Sequence, residues 1–148
     1  MNKTDKELLT SIYQNCSTAI SSIKDIEPSV KDEDLRAELR EELANYESYL
    51  DKCVKIAEEN EIELEDNTIF EKARLWTSIK MTTIMDNSTR HLAEMMLLGS
   101  VMGTLQCYKD LSDHSNADKD LLVLCGDLLK LEEKHFNFLK TFLQKIDK

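Results

Sequence analysis

Apolar residues recur three and four positions apart along most of this chain, and this spacing predicts helices rather than strands. In the first stretch, Thr4 followed by Glu7 predicts a capping box, and Pro28 marks the end of the helix. The apolar positions between them are Leu9, Ile12, Cys16, Ala19, Ile23 and Ile26. They share one face, so the stretch predicts a first helix that buries one side.

A second stretch has the same spacing. Asp32, Glu33 and Asp34 are suited to the positive N-terminal end of a helix. The apolar positions that follow are Leu39, Leu43, Tyr46, Leu50, Cys53 and Ala57. The pattern fades in residues 58–61, which predicts an exposed connection through about Asn67.

Residues 68–86 predict a third helix. Its apolar positions are Phe70, Ala73, Leu75, Trp76, Ile79 and Ile84. Residues 86–89 favour caps over helix interiors, so a break is expected there and Asn87 or Ser88 begins a fourth helix, which ends at about Leu111. A polar loop over residues 112–116 then leads to a fifth helix, capped by Ser115 or Asn116 and reaching about Ile146.

The predicted fourth helix has no polar face at its centre. Between Leu92 and Gln106 the only ionisable residue is Glu94. A helix that is apolar all round must be covered all round, either by the third helix or by a second subunit. Gly99 and Gly103 add a strip where another backbone can approach closely.

Composition supports an all-α protein. The chain has 148 residues, with one Pro, three Gly, 29 acidic and 19 basic residues. This length fits one domain spanning residues 1–148, and the scarcity of Pro and Gly favours long helices.

The charge and the hydropathy of the chain limit its expected partners and its expected cellular location. A formal charge of -10 argues against binding to nucleic acid or to an anionic membrane. No stretch reaches the ~20 apolar residues of a membrane span, and the first residues lack the apolar core of a secretory signal. We therefore expect a cytoplasmic protein whose four isolated cysteines are reduced and buried.

The row of apolar positions along the fifth helix, which we call its seam, contains two residues that could bind a metal. Its positions are Leu121, Cys125, Leu128, Glu132, His135, Leu139, Phe142 and Ile146. Glu132 and His135 share a face of this helix, and His91 and Glu94 have the same spacing in reverse order on the fourth. If the two helices are antiparallel neighbours of matching depth, these four residues form a site suited to iron, manganese or zinc.

A purely structural interpretation stands beside this one. Glu94 can pair with Arg90 one turn back, and Glu132 can lie at the edge of the seam. His135 then becomes a lone, hydrogen-bonded histidine in the core. This second register of the fifth helix is Leu124, Leu128, Leu131, His135, Phe138 and Phe142.

The order of helices and three short motifs resemble the ferritin-like superfamily, in particular its small uncharacterised members. The motifs are Ala73-Arg74-Leu75-Trp76, Leu92-Ala93-Glu94 with Gly99, and Leu131-Glu132-Glu133. The resemblance implies an antiparallel four-helix bundle of helices one, two, four and five, with helix three as an additional crossover.

The resemblance also bears on metal binding. Active di-iron members carry a core carboxylate on the first helix and a second Glu-x-x-His motif. Here the first helix offers Cys16, Ala19, Ser22 and Ile23, and the second offers Tyr46 where a histidine is expected, with Glu42 as the nearest candidate ligand. The resemblance therefore implies at most one residual metal.

Three functions follow from these patterns, and no catalytic residue is predicted. The first is a non-enzymatic module that associates with itself as a homodimer, or with another protein. The second is a metal-binding or oxidative-stress protein that uses His91, Glu94, Glu132 and His135. The third is a small-molecule binder with a pocket lined by Met95, Met96 and Met102.

Overall fold

The computed structural model describes residues 1–65 and 88–146. Helix α1 spans Lys3–Ile26 and is followed by a 3-10 turn at Glu27–Ser29. Helices α2, α3 and α4 span Glu33–Glu59, Thr89–Asp113 and Lys119–Ile146. The predicted first, second, fourth and fifth helices are thus confirmed, and the predicted third helix falls outside the described residues.

Short polar side chains start three of the helices. Asn2 Oδ1 accepts from the backbone N–H of Asp5 at 2.8 Å, so α1 begins before the predicted Thr4 cap. Asp32 caps α2, and Ser88 caps α3 as the sequence predicted. Each cap satisfies a backbone donor that has no partner within its helix.

The direction of the helices follows from their cross-contacts. Ser11 bonds to Asp110, and Asn15 bonds to the backbone oxygen of Gly103, so α1 and α3 are antiparallel. The short turn between α1 and α2 makes those two helices antiparallel as well. Consequently α2 and α3 run in the same direction, which places Glu59 and Thr89 toward opposite ends of the bundle.

The core lies between the four helices. Each helix contributes the apolar stripe expected from its sequence, and all four cysteines are buried, free thiols. The largest fully buried apolar side chains include Leu8, Ile12, Leu35, Leu39, Leu92, Leu128 and Leu139. No helix within residues 1–65 and 88–146 is long and apolar enough to cross a membrane.

Helix α3 is covered on one side only in the described structure. Its outward side chains are 41 to 59 % exposed, and they are Leu98, Val101, Met102, Leu105 and Tyr108. We call these five residues the α3 outer face. The predicted cover by the third helix falls on residues outside the described ranges, and cover by a second subunit stays a prediction.

Gly103 allows α4 to approach α3 closely. A Cβ atom built on Gly103 would lie 2.5 Å from Glu132 Oε1, well inside van der Waals contact. A Cβ on Gly99 would meet nothing within 4 Å. Of the two glycines in the predicted strip, Gly103 is thus the one that makes room, and the group it admits is the Glu132 carboxyl.

Alanine at these two glycines should have opposite effects on the free energy of unfolding. We expect Gly103→Ala to destabilise the protein by about 1 kcal/mol, because the buried Glu132 carboxyl must move. Gly99→Ala should stabilise it by about 0.5 to 1 kcal/mol, because alanine favours the helix and meets no neighbour. Urea unfolding measures both, and equal effects would contradict the close approach.

Candidate metal centre

Helix α2 supplies three side chains to the centre of the bundle. Glu38, Glu42 and Tyr46 are four residues apart, so they stack on one face of the helix. Glu42 and Tyr46 are buried, and Glu38 is 11 % exposed at its side chain. The positions before and after them on this seam, Leu35, Leu39 and Cys53, are buried and apolar.

Helix α4 faces them with Glu132 and His135. Both residues are 2 % exposed. His135 Nδ1 lies 3.8 Å from Glu38 Oε1 and 3.9 Å from Glu42 Oε2. These distances are too long for hydrogen bonds.

Glu38, Glu42 and His135 form a group whose candidate ligand atoms all lie within 4.8 Å of one another. Transition metals sit about 2.0 to 2.2 Å from such atoms, so ligands on one ion are typically about 3 to 4 Å apart. A small inward movement of the side chains brings the three groups onto one ion.

Several buried polar atoms at this centre have no hydrogen-bond partner. They are Glu38 Oε1, both Glu42 carboxylate oxygens, Glu132 Oε1 and both ring nitrogens of His135. Buried polar groups in proteins are nearly always paired. Six unpaired atoms in one place indicate a missing partner.

The carboxyl groups differ in how they hold a proton. Burial raises the pKa of Glu42 from its ordinary 4.5 to about 8, and the negative charge of Glu38 adds to the shift. The pKa of Glu38 is lowered, chiefly by the facing His135 side chain. Without a cation, the negative charge at this centre is therefore held mainly by Glu38.

Glu132 lies next to this group, between Tyr46 and the backbone of Gly103. Burial raises the pKa of Glu132 to about 8, and a hydrogen bond from Tyr46 opposes part of that shift. Burial, together with the charge of Glu132, raises the pKa of Tyr46 well above its ordinary value. Glu132 thus adds a third carboxyl group to the Glu38 and Glu42 carboxyls and the His135 imidazole.

The structure brings together two of the four residues singled out from the sequence. Glu132 and His135 lie at the centre, and His91 and Glu94 do not join the Glu38, Glu42 and His135 group. Glu94 is exposed and its Oε1 accepts from Arg90 Nε at 2.8 Å, as the structural interpretation predicted. His91 is half-buried, on the first turn of α3.

The sequence analysis assumed that His91 and Glu94 lie at the same depth in the bundle as Glu132 and His135. This assumption needs correction. Gly103 lies opposite Glu132, and Cys107 lies opposite Cys125. The α3–α4 hairpin therefore pivots near residue 117 rather than 114. Glu94 lies nine residues before Gly103 in the sequence, or about 13 Å along the helix axis.

The sequence did contain a signal for the α2 ligands. Glu42 falls in a spacing of four and three, within the seam Leu35, Leu39, Glu42, Tyr46, Leu50, Cys53 and Ala57. A carboxylate at a seam position is the same signal that identified Glu132. The resemblance names Glu42 as the nearest candidate ligand. Glu38 lies beside the seam position Leu39, so the spacing gives no signal for it.

Comparisons with known proteins give a match in structure and none in sequence. No family model and no curated protein matches the chain. The structure is similar to the X-ray structure of Dps from Thermosynechococcus elongatus, with a TM-score of 0.68. The match covers 95% of this chain and 92% of that chain at 14% sequence identity. The helix order, the helix directions and this likeness together show that the chain has the ferritin-like four-helix-bundle fold.

Proposed function

We propose that this protein binds a divalent transition-metal ion through Glu38, Glu42 and His135. The observation that carries the proposal is the set of five unpaired buried atoms on these three residues. A buried charge or polar group without a partner is costly, and a cation at the centre removes that cost for several groups at once.

The donor set suits the metals named from the sequence. Two carboxylates and one imidazole bind iron, manganese and zinc, whereas magnesium and calcium favour oxygen ligands alone. The ferritin-like fold favours iron among the three, in a metal-binding or oxidative-stress role. A bound ion of this kind supplies Lewis acidity and, for iron or manganese, redox chemistry.

The residues around the donors hold them in place. Glu38 and Glu42 extend from consecutive turns of one helix, and His135 is packed in the core, so the donors lose little freedom on binding. Lys134 is paired with Glu41 on the outer surface at 3.6 Å. Lys134 is thus engaged by a carboxylate outside the centre.

Removal of a donor should abolish stoichiometric metal binding. We expect Glu42→Gln and His135→Ala each to weaken Mn²⁺ or Zn²⁺ affinity by at least about 100-fold, since the loss of outer partners alone costs 10- to 100-fold. Isothermal titration of chelator-treated protein measures this, with Fe²⁺ tested under anaerobic conditions.

Glu41→Gln is the matched control, because Glu41 neighbours Glu42 in sequence but is exposed. It should bind metal like the unaltered protein. If the unaltered protein binds none of the three metals, or if Glu41→Gln is as defective as Glu42→Gln, the proposal is wrong.

The metal-free protein should lose stability as the pH rises, and Glu132 should contribute to the loss. The pKa of Glu132 is raised to about 8 in the folded chain. A raised pKa means that its stabilising proton is fully bound below about pH 4.5 and is lost toward pH 8. Across this window the unaltered protein should lose up to about 1.4 kcal/mol per pH unit relative to Glu132→Gln, which cannot ionise.

Urea unfolding at a series of pH values, with chelator present, gives this difference. Glu133→Gln, at the exposed neighbouring position, is the control substitution. A stability difference between the unaltered protein and Glu132→Gln that stays constant with pH would contradict the buried, unpaired state of Glu132.

A second function is supported by the α3 outer face. Contiguous exposed apolar surface of this kind marks interaction sites. Leu105 and Tyr108 are the most exposed of its side chains, at 59% and 54%. We infer self-association as a homodimer through this face, in agreement with the interpretation of the sequence.

A charge on this face should disrupt the dimer. Light scattering coupled to size-exclusion chromatography should give a dimer for the unaltered protein at micromolar concentration and a monomer for Leu105→Glu. Val123→Glu is the control, because Val123 is similarly exposed on α4 but lies beside α2 residues. A strict monomer in every case rules out self-association.

The cellular location belongs with these proposals. The four cysteines are free and buried. Free thiols persist in reducing compartments, which supports the cytoplasm as the location.

A further inference from the structure

A cavity of about 220 Å³ lies between α1 and α3 and reaches the side chains of Tyr46, Glu132 and His135. Met95, Met96 and Met102 all line it, as the small-molecule interpretation of the sequence required. The cavity follows α3 from Met95 to Gln106, a distance of about 16 Å at the helical rise. Its shape is therefore long and narrow.

The size of the cavity limits its occupant. A cavity of about 150 Å³ accommodates benzene, so 220 Å³ accommodates about nine non-hydrogen atoms. Methionine side chains are flexible and polarisable, and they adapt to apolar ligands of different shapes. The occupant is a short molecule with a slender apolar part.

Polar groups on the cavity walls are already paired within the protein. Ser11 Oγ donates to an Asp110 carboxylate oxygen at 2.7 Å, and Asn15 Nδ2 donates to the Gly103 backbone oxygen at 3.2 Å. Ser100 Oγ likewise donates to a backbone carbonyl within its own helix. These groups have their hydrogen bonds without a ligand.

At the floor of the cavity, by contrast, polar atoms lack hydrogen-bond partners. Glu132 Oε1 and His135 Nε2 are buried and have no hydrogen-bond partner, and both residues border the cavity. A ligand that fills the cavity reaches them with its polar end. The head group is therefore recognised by Glu132 and His135 rather than by the walls.

The charge around the floor selects the head group. No Lys or Arg is among the described residues that line the cavity. Glu132 stands at the floor, and the Glu38 and Glu42 carboxyl groups lie behind His135. A negative head group would be repelled, whereas a positive one gains an ion pair with a carboxyl group that is only 2 % exposed.

We propose that this cavity binds a small primary amine, with its apolar part among the methionines and its ammonium group taking the place of the proton on the Glu132 carboxyl. Binding requires no metal at Glu38, Glu42 and His135, so the inference does not rest on the proposed function. The bound amine would supply the hydrogen-bond donor that Glu132 Oε1 lacks within the protein.

Titration calorimetry with n-hexylamine, which is within the size limit, tests the proposal on chelator-treated protein. Binding of n-hexylamine should be at least about tenfold tighter than binding of 1-hexanol, because the alcohol has no charge to pair with Glu132. Glu132→Gln should reduce the amine affinity to that of the alcohol.

Two further pairs of variants locate the site. Gly99→Phe should block binding, because Gly99 lines the cavity and has open space at its Cβ, while Gly126→Phe, equally open but not part of the lining, should leave binding intact. Glu38→Gln should lose metal affinity and keep amine affinity, since Glu38 does not line the cavity.

Each result decides the proposal. No amine binding at millimolar concentration, equal affinity for amine and alcohol, or binding that survives Gly99→Phe would overturn it. Amine binding that is lost with Glu38→Gln as well as with Glu132→Gln would overturn the separation from the metal centre. A failure of metal binding alone, with amine binding retained, would overturn only the proposed function.

Discussion

The structure depends on how two carboxyl groups are accommodated in helix seams that are otherwise apolar. Glu42 and Glu132 are buried as deeply as the leucines around them. An ionised carboxylate in such a place costs several kcal/mol unless a proton or a cation accompanies it. Leucine at either position would pack without this cost. The seams therefore hold two groups that a proton or a cation would stabilise, which is the basis of the proposed metal binding.

The close approach of α3 makes this arrangement possible. Gly103 leaves the space that the Glu132 carboxyl occupies, and Asn15 of α1 bonds to the backbone oxygen of the same glycine. One residue without a side chain thus brings three helices together at the level of the metal centre. The cavity begins at this level, because Gly99 and Gly103 present backbone where a larger residue would fill it.

The helices were predictable from the sequence, but the site was predictable only in part. Seam spacing alone identified Glu132 and His135, and the same spacing applies to Glu42. Glu38 lies one position off its seam, so spacing could not separate it from a solvated flank. The pairing with His91 and Glu94 failed for a different reason. In an antiparallel hairpin, an error of three residues in the turn shifts every cross-helix partner by about six, or nearly two turns.

His135 lies between the candidate metal centre and the cavity and presents a ring nitrogen to each. Nδ1 faces Glu38 and Glu42, while Nε2 is buried without a partner in a residue that borders the cavity. An imidazole that coordinates a cation through Nδ1 keeps its proton on Nε2, and so presents a hydrogen-bond donor on its far side. An ammonium group carries only donors, so in the cavity it pairs with the Glu132 carboxyl, while Glu38 and Glu42 face the opposite nitrogen of the ring. The two proposed sites therefore share one imidazole and no carboxyl group.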